Sequence, residues 1–132
     1  MLKILQPPGW VKPRGFSNGI AVRGGTTVFV AGQIAFNSKG VIEEKTFPGQ
    51  FRQTLQNTIA VLAEAGAKPE HIVRMTWYIV DRDEYLAASK ALGSVYREVI
   101  GPHYPAMTAV QVAALIEPGA RVEIEATAVV PD

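Results

Sequence analysis

Residues 26–36, Thr26-Thr27-Val28-Phe29-Val30-Ala31-Gly32-Gln33-Ile34-Ala35-Phe36, decide the architecture. β-branched and aromatic residues dominate them, as suits a pleated strand. Side chains alternate between the faces of a strand. Val28, Val30 and Ile34 therefore fall on one face, and Phe29, Ala31 and Phe36 on the other. Helices can cover only one of these faces. The other needs a partner, or it leaves an apolar patch in water. A closed symmetric oligomer is the common solution. The competing reading lays the N-terminal arm over it.

Upstream, residues 1–18 are rich in Pro and Gly and read as an irregular arm. Residues 20–23 read as a short strand joined to 26–36 by a Gly24-Gly25 hairpin turn. Downstream, Asn37-Ser38-Lys39-Gly40 closes the long strand. Pro48 suits the first turn of a helix. Phe51, Leu55, Ile59 and Leu62 then recur at helical spacing, with Gln50, Arg52, Gln53 and Gln56 on the other face. The helix runs to about residue 65, and Gly66 is its natural cap.

Residues 71–80 alternate Val73, Met75, Trp77 and Ile79 against Arg74, Thr76 and Tyr78, a strand pattern. Asp81 or Asp83 can cap a second helix. Tyr85, Ala88, Leu92, Val95, Tyr96 and Val99 form its apolar stripe, and Gly101-Pro102 ends it. Strands at 108–115 and 121–130 follow, split by Pro118-Gly119. In the last, Val122, Ile124, Ala126 and Ala128 oppose Arg121, Glu123, Glu125 and Thr127. The order is β-β-α-β-α-β-β in one α+β domain, 1–132, with two helices on one face of a mixed sheet.

The chain has 132 residues and no cysteine, which excludes disulfides, thiolate metal sites and a Cys nucleophile. Thirteen basic and twelve acidic residues give a net charge of +1 with no basic stripe, so a nucleic-acid partner is not expected. No segment reads as a signal peptide or a membrane span, and the expected location is the cytoplasm. His71 and His103 lie far apart, and a zinc site needs three or four converging ligands, so no metal is expected. No serine sits in a nucleophile elbow.

The stretch VAGQIAFNSKG, the segment YPAMTAVQVAAL and the terminal strand VEIEATAVVP resemble the RidA/YjgF family, over nearly the whole chain. The resemblance implies a chorismate-mutase-like fold. It implies a homotrimer whose three sheets form a central barrel, with small-molecule clefts between subunits. It also implies hydrolysis of reactive imines and enamines to keto acids and ammonia, a metabolite damage-control activity that uses no metal or cofactor.

The resemblance assigns roles position by position. Gly32 takes the place of the glycine whose backbone amide faces the ligand. Glu123 takes that of the glutamate that holds the attacking water. Three positions depart from the pattern. Met107 follows Pro105-Ala106, where the family has the arginine that grips the substrate carboxylate. Phe16 replaces an aromatic hydroxyl, and Gly93 falls at a helix asparagine that lines the pocket. Arginine makes bidentate, charge-assisted bonds to a carboxylate, whereas methionine offers an adaptable apolar surface and no donor. Losing that contact costs about 2–4 kcal/mol in a partly dry pocket.

Read without the resemblance, Glu123 and Glu125 are a solvated face paired with Arg121, and Met107 is core packing. Arg14, Arg23, Arg52, Arg74 and Arg97 are scattered, and any of them could reach a cleft. Three functional readings follow. One is a divergent hydrolase or deaminase of less acidic or more apolar imines. Another is a non-catalytic binder or sensor using the same cleft. The last is a nucleic-acid-acting protein, since some relatives have been described as ribonucleases; the neutral charge and the lack of an aromatic–basic stripe oppose it.

Overall fold

The computed structural model describes residues 2–132. Its main sheet has four strands in the order β3-β6-β4-β5. These are β3 (Thr26–Gln33), β4 (Ile72–Ile79), β5 (Ala106–Gln111) and β6 (Val122–Val130). β6 runs antiparallel to both β3 and β4, and β4 runs parallel to β5, so the sheet is mixed. The helices α1 (Phe47–Glu64), α2 (Arg82–Ala87) and α3 (Ser89–Val99) complete the α+β domain.

The alternation of β6 orients the sheet. Val122, Ile124, Ala126 and Ala128 are all buried, as the sequence pattern requires. They share a core with Val30 of β3, Met75, Trp77 and Ile79 of β4, Phe51, Leu55 and Leu62 of α1, and Leu92, Val95 and Tyr96 of α3. The opposite face carries Glu123, Glu125 and Thr127 from β6, and Phe29 from β3, which is 78% exposed. The two-sided character of β3 is therefore real.

Helix α1 starts where Thr46 accepts a bond from the Gly49 N–H, with Pro48 in the first turn. It ends in a Schellman arrangement: Gly66, at φ 72°, donates to Ala63 O, and Ala67 to Leu62 O, both at 3.0 Å. Asp81 caps α2, and Ala88 (φ −93°, ψ 3°) breaks the expected second helix into α2 and α3.

Several expectations are corrected. Part of the arm is a strand: β1 (Leu2–Leu5) pairs antiparallel with β2 (Gly19–Val22) in a separate two-stranded sheet. The hairpin to β3 does not form. The Gly24-Gly25 turn exists, with both φ positive, but it carries the chain from one sheet to the other. A Cβ at Gly25 would lie 2.5 Å from Val130 O, so this glycine lets β3 start tight against the end of β6.

The β3–β6 register shifts between Val30 and Gln33, and β3 ends there. Simple alternation therefore fails past Val30, and Ala35 is buried while Ile34 and Phe36 are half-buried. A second shift, between Ile72 and Arg74, puts Ile72 on the core face in place of Val73. β5 begins at Ala106 and stops at Gln111, short of the expected 108–115.

Gln50, expected on the outer face of α1, is buried because the 119–121 segment needs partners. Its amide donates to Gly119 O (2.9 Å), and its Oε1 accepts from Arg121 N (2.9 Å), next to the start of β6. Replacing Gln50 by Leu keeps the volume and orphans both groups, one of which stays close to water. The expected loss is about 1–3 kcal/mol. A urea melt should show a lower midpoint at unchanged slope; an unchanged midpoint would remove Gln50 as an anchor of this segment.

Candidate functional site

A cleft of about 390 Å³ opens between α3 and β5. Phe16, Gly93 and Met107 all line it, so the structure brings three of the five sequence candidates together. Each arrives for a local reason. Ser17 forms a parallel bridge to Ala106, its hydroxyl donates to Tyr104 O (2.5 Å), and its N–H to Pro105 O (3.0 Å). These bonds hold Phe16 at the rim. Met107 lies in register with the buried Met75 and therefore faces the helix side of the sheet. Gly93 lies one residue after the buried Leu92 on α3.

The walls are aromatic. Trp77 meets Tyr85 edge-on (6.5 Å) and Tyr96 at a tilt (6.1 Å), and Tyr96 stacks on Tyr104 (5.3 Å, 13°). Such walls suit a flat or apolar ligand body. Tyr96 donates to His103 O at 2.6 Å. Burial first, then the neighbouring Tyr104, pushes its phenol well above the ordinary value; burial alone raises Tyr85. Both phenols stay neutral at physiological pH, so they remain donors rather than anions. Trp77 adds a buried indole N–H with no partner among the described residues.

Gly32 and Glu123 lie elsewhere in the same chain. Glu123 sits between the buried Val122 and Ile124, so it faces away from the helices. Its carboxylate rests on Gly32: a Cβ built there would sit 2.9 Å from Glu123 Cδ and closer still to Oε2. Only a glycine leaves room for this approach. Beside it, Tyr78 donates to Glu125 Oε1 (2.5 Å). That bond, more than desolvation, raises the Tyr78 phenol, because it is made by the neutral form. The five candidates thus split into two groups on opposite faces of one sheet.

Arg121 is not paired with Glu123 or Glu125. It forms an ion pair with Glu84, donates to Lys45 O (2.9 Å) and lies 6.0 Å from the Phe47 ring centroid. The proposed pairing along β6 fails because Arg121 precedes the strand and turns toward α2. His71 accepts from Lys68 N through Nδ1 (2.9 Å), and His103 Nε2 donates to Ile72 O (2.6 Å), so both are structural. Among the described residues, no three His, Cys, Asp or Glu side chains gather where a metal could bind.

The scattered arginines now separate. Arg14 and Arg97 line the cleft; Arg52 pairs with Glu98 on the helices, and Arg74 lies on the outer face of the sheet. Sequence reasoning could not choose among them. The usable signal was the spacing of Gly93 and Arg97, four apart on one helical face.

A sequence profile described as Endoribonuclease L-PSP matches residues 12–130. A RutC family protein of Pyrococcus horikoshii is 34% identical over 109 residues, covering 82% of each chain. The human 2-iminobutanoate/2-iminopropanoate deaminase is 28% identical over 130 residues, 98% of this chain and 88% of its own. The crystal structure of the Rid-family protein YyfB from Yersinia pestis superposes with a TM-score of 0.86 at 30% identity, over 98% of both chains. That of Escherichia coli YjgF gives 0.70 at 30% identity, over 92% of this chain and 91% of its own.

Gly32 does not occupy the positive-φ region, so alanine fits its backbone. Gly32→Ala should leave the fold within about 1 kcal/mol of wild type and swing the Glu123 carboxylate to another rotamer. A crystal structure of the variant checks this; an unmoved carboxylate would contradict the close approach.

Proposed function

The chain belongs to the RidA/YjgF family, and from that membership we propose that it is a cofactor-independent hydrolase of imine- or enamine-type metabolites. The observation that carries this reading is the Glu123 carboxylate seated on bare backbone at Gly32. In the proposed site, the cleft of one subunit meets Gly32 and Glu123 of a neighbour in a homotrimer. The split of the candidates across two sheet faces supports this, and so does the exposed Phe29 beside them.

The chemistry needs only water and proton transfer. Glu123 takes a proton from water as the oxygen attacks the imine carbon, the C=N π electrons move to nitrogen, and the proton held by Glu123 passes to that nitrogen. The resulting carbinolamine collapses, its C–N bond breaks, and a carbonyl compound and ammonia leave. A positioned base of this kind is worth roughly 10²–10⁴-fold.

Met107 sets the specificity. Imines of alanine or serine carry a carboxylate next to the reacting carbon, and at that depth Met107 offers it no donor. The preferred substrates are therefore more apolar. The cleft's volume suits a small molecule rather than a nucleic-acid strand, whatever the family's name suggests. The cysteine-free chain suits the cytoplasm, and no described helix is long and apolar enough to cross a membrane. The loss of arginine at 107 also favours a second reading, a binder that uses the same cleft without turnover.

Imines generated by an amino-acid oxidase provide the test. Wild type should hydrolyse 2-iminopropanoate more than about tenfold slower than a family member bearing the arginine, a barrier difference above about 1.4 kcal/mol. Met107→Arg should narrow the gap. On apolar imines, Glu123→Gln should abolish hydrolysis and Glu125→Gln should change it little. Equal effects of the two glutamate variants would remove the base role; no turnover of any imine would leave the binder.

A further inference from the structure

Although the cleft has lost its arginine at 107, it is not without positive charge. Arg14, two residues before Phe16, and Arg97 of α3 both line it, and no Asp or Glu does. Both arginines are exposed, whereas Met107 is half-buried, so the charge sits at the mouth and the apolar surface lies deeper. Among the described residues neither has an ion-pair partner. Elsewhere Arg52, Arg82 and Arg121 are each paired with a carboxylate.

The missing side chain at Gly93 is part of the same arrangement. Arg97 lies one helical turn further on, and its Nη1 is 3.4 Å from where a Cβ at 93 would be. The Arg97 guanidinium thus lies over the bare helix surface at Gly93, where a Cβ would just reach it and a longer side chain would meet it. Two unpaired guanidiniums in a wall without acids form a ready anion site, since the planar fork matches a carboxylate. Trp77 and Tyr96, both buried, and the more exposed Phe16 line the same cleft.

We infer that Arg97 and Arg14 form a displaced anion site, which selects ligands with an aromatic or apolar body and a carboxylate held away from the reacting carbon. The inference rests on the cleft being the ligand site, as proposed above, and not on turnover. It also separates the two substrate classes. A 2-imino acid finds no donor for its carboxylate at Met107, and reaching the mouth with that carboxylate would draw its reacting carbon out of place. A longer anion reaches the mouth with its charge while its body fills the aromatic interior.

Binding calorimetry at low ionic strength tests this with 3-phenylpropanoate and its neutral counterpart 3-phenylpropanol, since exposed charges are screened by salt. Wild type should bind the acid about tenfold or more tightly than the alcohol, the scale of a charge-assisted bond. Arg97→Gln with Arg14→Gln should erase that preference and leave alcohol binding unchanged. Arg97→Lys should keep part of it, and Arg82→Gln, outside the cleft, all of it. Equal binding of acid and alcohol by wild type, a preference that survives the double variant, or failure to bind either at millimolar concentration would each overturn the inference. Because no step is catalytic, an inactive protein that still prefers the acid would refute the hydrolase and not the anion site.

Discussion

Strand β6 has to satisfy two environments within nine residues. Its even-numbered side chains fill the core under α1 and α3, and its odd-numbered ones carry the carboxylates and Thr127 on the other side. Because strand periodicity is two, a slip of one residue would bury Glu123 and expose Ile124. The pairing of β6 with β3 and β4 therefore positions the core and the candidate carboxylate together. It places Ile124 opposite Trp77, and Glu123 opposite Tyr78 and against Gly32.

The same constraint divides the candidate residues. A side chain on the helix face of this sheet cannot meet one on the outer face of the same sheet. Met107, Gly93 and Phe16 belong to the first, Gly32 and Glu123 to the second. Each half is incomplete chemically: the cleft has aromatic walls and guanidiniums but no acid, and the carboxylate at Gly32 lies outside that cleft. In the proposed trimer one contact would meet both shortages and would cover Phe29, which is exposed in the single chain.

Much of the fold was legible wherever one local rule ruled alone. The alternation at Val122, Ile124, Ala126 and Ala128 survived intact, as did the start and stop of α1 at Pro48 and Gly66. What failed needed non-local information. The partner of β2 is β1, the bulges near Ala31 and Val73 shift the register, and Gln50 is buried to serve a segment seventy residues away. At the site, Phe16, Gly93 and Met107 were found by resemblance; residue chemistry alone read Met107 as packing. Arg14 and Arg97 became distinguishable from the other arginines only once the cleft existed.

In the proposed assembly one chain holds two halves of different sites, which a second copy completes. Light scattering coupled to size exclusion measures this directly. The proposed trimer should appear at about 43 kDa at micromolar concentration, three times the 14.3 kDa of one chain. A particle of 14.3 kDa would contradict it, because Glu123 and Met107 could then never face the same ligand.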